Sequence, residues 1–201
     1  SGMDIQGGGG SGPGLLNALA QRDNRYYLVH RLDKMVSGCV VVAKSRDICQ
    51  ALQAQWHSTD CIKKYEAVVF ASEAPNYMQI TSPLEDKSGN AQNACSFVYP
   101  RCYSAPYARV CVEIHTGRNH QIRRHLAGVG LPIVGDNRYG DFQANRLHPP
   151  YKKGSLMLHA RSVTFDHPLR GVTAVSCQWP VAALAWLGEQ ALSADGSEAK
   201  D

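Results

Sequence analysis

Residues 26–29 (YYLV) and 39–43 (CVVVA) are apolar runs too short for helices. Both are rich in β-branched and aromatic residues, so both read as buried strands. Between them lies HRLDKMVSG, a polar turn that carries Arg31, Asp33 and Lys34 and is closed by Ser37-Gly38. A carboxylate on a short loop between core strands is held by a rigid scaffold and stays open to a ligand. Alone, Asp33 would be an ordinary turn aspartate. It is not alone.

With 201 residues, 44% of them hydrophobic and 19% charged, the chain fits one well-cored globular domain. The net charge of +4 permits an anionic partner without demanding one. Seven cysteines, an odd count with no Cys-x-x-Cys pair, read as reduced and mostly buried thiols of an intracellular protein. No apolar run reaches the length of a membrane span, and no secretory signal is visible. The cytoplasm, nucleus and mitochondrion stay open as compartments.

Residues 1–14 form a glycine-rich segment expected to be flexible. Gly7, Gly9 and Gly12 have the spacing of a dinucleotide loop, but no hydrophobic strand precedes them, so that reading is rejected. A short helix is expected over 15–21. A second follows the N-cap candidate Ser45, with Ile48, Leu52 and Trp56 on one face. Residues 65–70 and 94–99 read as strands, with turn signals at 85–90 and 104–106. Along 109–115, Val110, Val112 and Ile114 alternate with Cys111, Glu113 and His115, the pattern of a half-buried strand. A helix is expected from about Asn119 to Gly130, then loop or short strand over 131–139 and an irregular basic loop over 141–154. Strands over 155–160 and 172–177 precede a helix from Pro180 to about Leu192. The domain is thus expected over 15–192, with a disordered tail at 193–201.

A metal site is not expected. His115, His120 and His125 are five residues apart and do not share a helix face, and His57 and Cys61 lack a second pair. No Gly-x-Ser-x-Gly elbow exists for a serine nucleophile. The segment 116–125, TGRNHQIRRH, is more telling. Its cations gather at a helix start, where they oppose the macrodipole, so an anion should meet them: a phosphate or a buried carboxylate. Arg123, next to the inward-pointing Ile122, could reach such a carboxylate, and Asp33 is the candidate. Tyr65 opens a strand after Lys63-Lys64. Strand propensity alone would explain it; a stacking platform or proton acceptor for a base is the functional reading.

HRLDKMVSG at 30–38, KKYEAVV at 63–69, HTGRNHQIRRHLAGVGLPIVGDNRYG at 115–140 and LMLHA at 156–160 resemble, in order, the motifs of RluA-type RNA pseudouridine synthases. The resemblance implies an α+β catalytic domain built on a mixed, largely antiparallel, bent β-sheet flanked by helices; no S4-like module is expected before it. It implies isomerisation of a uridine in RNA (tRNA, rRNA or mRNA) to pseudouridine, without cofactor or metal. Asp33 would be the catalytic carboxylate, Arg123 its ion-pair partner, and Tyr65 the pocket wall against the flipped uracil. Arg31 matches the position that can enter the RNA stack as the uridine leaves. His30, His120 and Gln121 lie in the matched motifs and join the RNA-binding set. Lys63, Lys64, Arg118, Arg124, Arg138, Lys152 and Lys153 would meet phosphates. Val36 stands where the family usually has threonine, which removes one hydroxyl near the catalytic loop. The alternative is a catalytically silent homologue that binds RNA or a ribonucleoprotein as an assembly scaffold.

Overall fold

The structure is a computed structural model that describes residues 14–21 and 26–192. The expected flexible lead and disordered tail lie outside the described residues, apart from Gly14. In chain order the elements are α1 (Leu15–Ala20), β1 (Tyr27–Leu28), β2 (Ser37–Gly38), β3 (Val42–Ala43), α2 (Arg46–Gln55), β4 (Ile62–Phe70), β5 (Met78–Ile80), β6 (Leu84–Glu85), β7 (Ala91–Gln92) and β8 (Ser96–Ser104). They continue with β9 (Tyr107–Ile114), α3 (Gln121–Gly128), α4 (Phe142–Leu147), β10 (Leu158–His167), β11 (Gly171–Ser176) and α5 (Val181–Glu189).

The main sheet has the order β11-β10-β4-β9-β8-β5, with every neighbouring pair antiparallel; β2 adds a short parallel pairing on β10. This is the mixed, largely antiparallel α+β architecture expected. Strand alternation gives each face of the sheet its own task. Tyr65, Ala67 and Val69 of β4 share a face with Val110, Val112 and Ile114 of β9, given the pairings Tyr65↔Val112 and Ala67↔Val110. Ile122 and Leu126 of α3 join the same buried cluster.

The opposite face carries Glu66 and Arg109. Glu66 Oε2 accepts from Arg109 Nη2 at 2.8 Å and from Trp179 Nε1, while Arg109 Nη1 donates to the Leu192 carbonyl. Trp186 of α5 meets the Tyr107 ring edge-on at 5.3 Å. The second face is therefore covered, and β9 is buried on both sides along most of its length rather than half-buried. Alternating polar residues misled the sequence reading here because Arg109 finds a buried carboxylate, which lets a charged residue sit inside.

Ser45 caps α2 as expected, its Oγ accepting from Ile48 N at 3.3 Å. Leu52 and Trp56 then seal a second cluster with Val29, Cys61 and Phe165. Replacing Ser45 with alanine should cost about 1 kcal/mol, readable as a lower urea midpoint with an unchanged slope. The expected basic loop at 141–154 contains α4, whose N-cap Asp141 accepts from Ala144 N at 2.8 Å. Six residues give too little periodicity to be recognised.

Candidate active site

The two apolar runs that bracket Asp33 form only a two-residue antiparallel ladder, Tyr27↔Ala43 and Leu28↔Val42. The loop between them is fastened by other means. Leu32 and Val36 on either side of Asp33 are buried in the main core, and Val36 N donates to the Asp33 carbonyl at 2.9 Å. Ser37-Gly38 does not close a turn as expected; it pairs with His159 and Ala160 of β10. Gly38 has φ 121°, and a Cβ there would lie 2.3 Å from the Ala160 carbonyl oxygen, so only glycine allows this approach. Ser37 Oγ is 2.8 Å from His159 Nδ1, while His159 Nε2 is 3.2 Å from the Cys177 carbonyl. A ring N–H must donate to that carbonyl, so Nδ1 accepts from the serine.

Opposite the loop, β9 turns at Thr116-Gly117 and enters α3 through His120, a non-glycine residue in the left-handed region at φ 53°. Such backbone strain persists where the surroundings over-determine it, and functional sites are common hosts. Gln121 supplies much of that constraint. Its Nε2 donates to the Cys95 carbonyl at 2.8 Å, and its Oε1 accepts from Thr116 Oγ1 and Arg118 N at 2.8 and 3.1 Å.

Arg123 then points into the cleft. Its Nη1 lies 3.3 Å from Asp33 Oδ2, while Nε and Nη2 make a bidentate pair with Asp136, both at 2.8 Å. Asp136 is 1% exposed and also accepts from Arg138 N and Tyr139 N. Burial opposes its ionisation, but the Arg123 pair and the two N–H donors outweigh burial and hold the carboxyl below its ordinary value. His120 Nε2 is 3.7 Å from Asp33 Oδ2, and its Nδ1 is 3.0 Å from the Tyr139 hydroxyl. Burial lowers the His120 pKa despite the Asp33 charge, so the imidazole is neutral near pH 7.

Asp33, Tyr65, Arg123, Arg31, Arg118 and His120 thus line one cleft of about 100 Å³, with Leu32, Ile114 and Leu158 among its apolar walls. Burial pushes the Tyr65 phenol well above its ordinary pKa, and the Asp33 charge adds to the shift, so the phenol is protonated at neutral pH. No hydrogen bond joins its hydroxyl to another described residue.

Four expected RNA-binding residues fit other roles. His30 stacks on Trp56 at 4.2 Å, and its Nε2 accepts from Val41 N at 3.0 Å. Burial lowers its pKa to about 4, so it is a neutral brace behind the loop. Lys64 is on the face of β4 opposite Tyr65 and lies 3.7 Å from Glu113, because neighbouring strand residues point oppositely. Gln121 is spent inside the protein, as described. Arg124 turns away to donate to the Glu85 carbonyl at 2.9 Å.

Sequence reasoning missed Asp136, Tyr139 and the buried position of Lys63. The signal was the Gly-Asp-x-x-Tyr-Gly run, which was matched as a motif but given no partner. Among the described residues, no three His, Cys, Asp or Glu side chains converge as metal ligands, and no helix is long and apolar enough to cross a membrane. A carboxylate beside a guanidinium, a protonated phenol and a cationic rim suit covalent or base chemistry on a neutral ring attached to a polyanion.

Residues 2–128 match the family described as RNA pseudouridylate synthase. A tRNA pseudouridine synthase C of Pectobacterium carotovorum subsp. carotovorum is 32% identical over 167 residues, covering 72% of this chain and 44% of the relative. A ribosomal large subunit pseudouridine synthase C of Buchnera aphidicola subsp. Baizongia pistaciae is 32% identical over 185 residues, covering 85% of this chain and 59% of the relative. The chain thus spans about half the length of these relatives. The human protein RNA pseudouridylate synthase domain containing 4 has a similar fold, with a TM-score of 0.72 at 23% identity, covering 88% of this chain and 81% of that one. The match spans well over half of the sequence and includes the Asp33 loop, the Tyr65 strand and the Arg123 helix: the chain belongs to the RNA pseudouridylate synthase family.

Proposed function

We propose that the protein isomerises uridine within RNA to pseudouridine, with Asp33 as the reacting carboxylate. The observation that carries this reading is the Asp33–Arg123 ion pair at 3.3 Å, in the cleft that Tyr65 also lines. The target uridine leaves its stack, at a cost of a few kcal/mol, and enters the cleft. Asp33 then attacks C1′ or takes the C2′ proton, and the C1′–N1 bond breaks. The released uracil turns and C5 bonds to C1′, releasing the Asp33 carboxylate in the covalent route or with return of the proton from Asp33 to C2′ in the other. Loss of the C5 proton and gain of one at N1 complete an isomerisation with no net change in atoms or electrons.

Arg123 keeps a positive charge beside Asp33 throughout, and its own position is fixed by Asp136. Val36, where the family usually carries threonine, is 8% exposed and packs in the core. It also borders the Asp33 cleft, where Asp33, Tyr65 and Arg123 are all retained, so the missing hydroxyl alone gives little support to a silent scaffold.

Tyr65 acts after Asp33. Burial, the main cause of its raised pKa, keeps the phenol protonated, so its hydroxyl serves as a relay that accepts the C5 proton while giving up its own. Tyr65→Phe should hold RNA affinity within about threefold and lower turnover by about 10²-fold or more, the scale of a lost acid–base group. Preserved turnover would leave stacking as the tyrosine's whole role.

The relatives' names point to tRNA and large-subunit rRNA as substrate classes. The deciding experiment is pseudouridine mapping of total cellular RNA from cells with the native gene, with Asp33→Asn, and with a deletion. A site lost in both altered strains establishes the activity and names its RNA. If no site changes and Asp33→Asn rescues a deletion phenotype, the chain is instead a binding scaffold in a ribonucleoprotein.

A further inference from the structure

A second cleft of about 430 Å³ adjoins the first and shares Arg31 and Tyr65 with it as a common wall. Its other side carries Trp56, His57 and Lys63, and among the described residues no carboxylate lines it. Lys63 is the unusual member. It is 5% exposed, on the same face of β4 as Tyr65, and its Nζ donates to the Trp56 and His115 carbonyls. Its Nζ also lies 5.7 Å from the Trp56 ring centroid. An ammonium has three donors, so one is left over. Among the described residues no ion pair gives it a counter-charge.

A buried cation without an anion is costly unless a ligand supplies one. Burial lowers the Lys63 pKa, and a bound anion would reverse that direction. His57, exposed at the rim, is lowered by burial and by the Lys63 and Arg118 charges, so it offers a neutral ring. The positive charge of this cleft therefore rests on Lys63 and Arg31. A neutral heteroaromatic ring beside two cations fits a base and its phosphate.

We infer that this second cleft is the subsite for the RNA nucleotide next to the flipped uridine, with Lys63 and Arg31 meeting the connecting phosphate and His57 meeting the neighbouring base. The inference rests on the RNA reading of the first cleft. The shared Arg31–Tyr65 wall is what makes the occupant a continuation of one strand rather than a separate anion. A base held against Tyr65 leaves its phosphodiester at the Arg31 edge, where the second cleft opens.

The test uses the wild-type protein, the trinucleotide UpUpU, and two analogues in which one or the other linkage is a neutral methylphosphonate. Tryptophan emission reports binding, with Trp56→Phe identifying the share that comes from the cleft; Trp179 and Trp186 lie on the far face of the sheet. Neutralising one of the two linkages should weaken binding by about tenfold, the scale of one charge-assisted hydrogen bond, and should abolish the Trp56 response. Neutralising the other should do neither. Lys63→Met should narrow the difference between the trinucleotides to the share that Arg31 supplies, and Lys63→Arg should restore it; an unchanged difference in Lys63→Met removes Lys63 from the subsite. The methylphosphonate comparison needs no variant, so it stands even if Lys63→Met fails to fold. Equal affinity for all three ligands, or no binding at millimolar UpUpU, overturns the subsite. The proposed activity fails separately: discrimination between linkages in a protein that modifies no cellular RNA would remove the isomerase reading and leave the subsite in place.

Discussion

Asp33→Asn should abolish pseudouridine formation, lowering turnover by at least about 10³-fold, while the protein stays folded and binds RNA. The size follows from chemistry that an amide cannot perform, since it neither attacks C1′ nor removes a C2′ proton. The folding half follows from position. The Asp33 side chain is 33% exposed, and its link to Arg123 is a single 3.3 Å contact, so the pair is worth at most about 1 kcal/mol to stability. For a chain of this size that is a shift of roughly 2–4 °C in melting temperature. Losing the charge also leaves Arg123 with its two short bonds to Asp136, so the helix start keeps its geometry. Single-turnover assays with a modified RNA read by mass or sequencing, alongside thermal melts, separate the two effects. A residual rate within tenfold of wild type would remove Asp33 from the chemistry. A melting temperature more than about 10 °C lower would mean that Asp33 is structural first.

Much of this arrangement is readable in the chain, and the unread remainder has a common cause. Strand period and N-cap chemistry gave the Ser45 cap, the strand around Tyr65 and the corner at residues 116–121, because each depends on neighbours a few residues away. The cationic cluster at a helix start correctly demanded an anion, and the structure supplies two, Asp33 and Asp136. Its short bonds go to the one that sequence reasoning left out. Asp136 lies thirteen residues from Arg123, and the reach between them is set by how the 131–139 loop folds back over α3. Period also separates neighbours that motif reading treats alike: Lys63 faces Tyr65's side of the sheet, while Lys64 and Glu66 face the other. His30 and Gln121 sit in the matched motifs for what they hold in place. A motif marks residues that a site needs, without saying which touch the ligand and which hold those that do.

The larger structural effect is expected at Asp136. Asp136→Asn removes a carboxylate that is 1% exposed and leaves the Arg123 guanidinium, itself only 12% exposed, without its bidentate partner. Breaking a buried pair from one side costs about 3–5 kcal/mol, which lowers the melting temperature by roughly 10 °C here. Replacing both partners, as in Asp136→Asn with Arg123→Met, should recover part of that loss, because the uncompensated cation is gone. Catalysis fails in the double variant regardless, since Asp33 has lost Arg123. The pH dependence distinguishes this account from simple loss of packing. The Asp136 carboxyl is held below its unfolded value, so the folded state binds its proton less readily than the unfolded chain does. Its contribution is therefore full above about pH 4, the ordinary carboxylate value, and is lost as pH falls through the lower folded value. Wild type and Asp136→Asn should differ by a constant amount from pH 8 down to about pH 5 and converge below about pH 4. A gap that persists unchanged into acid would mean that shape and hydrogen bonding at this position, rather than charge, hold Arg123 against Asp33.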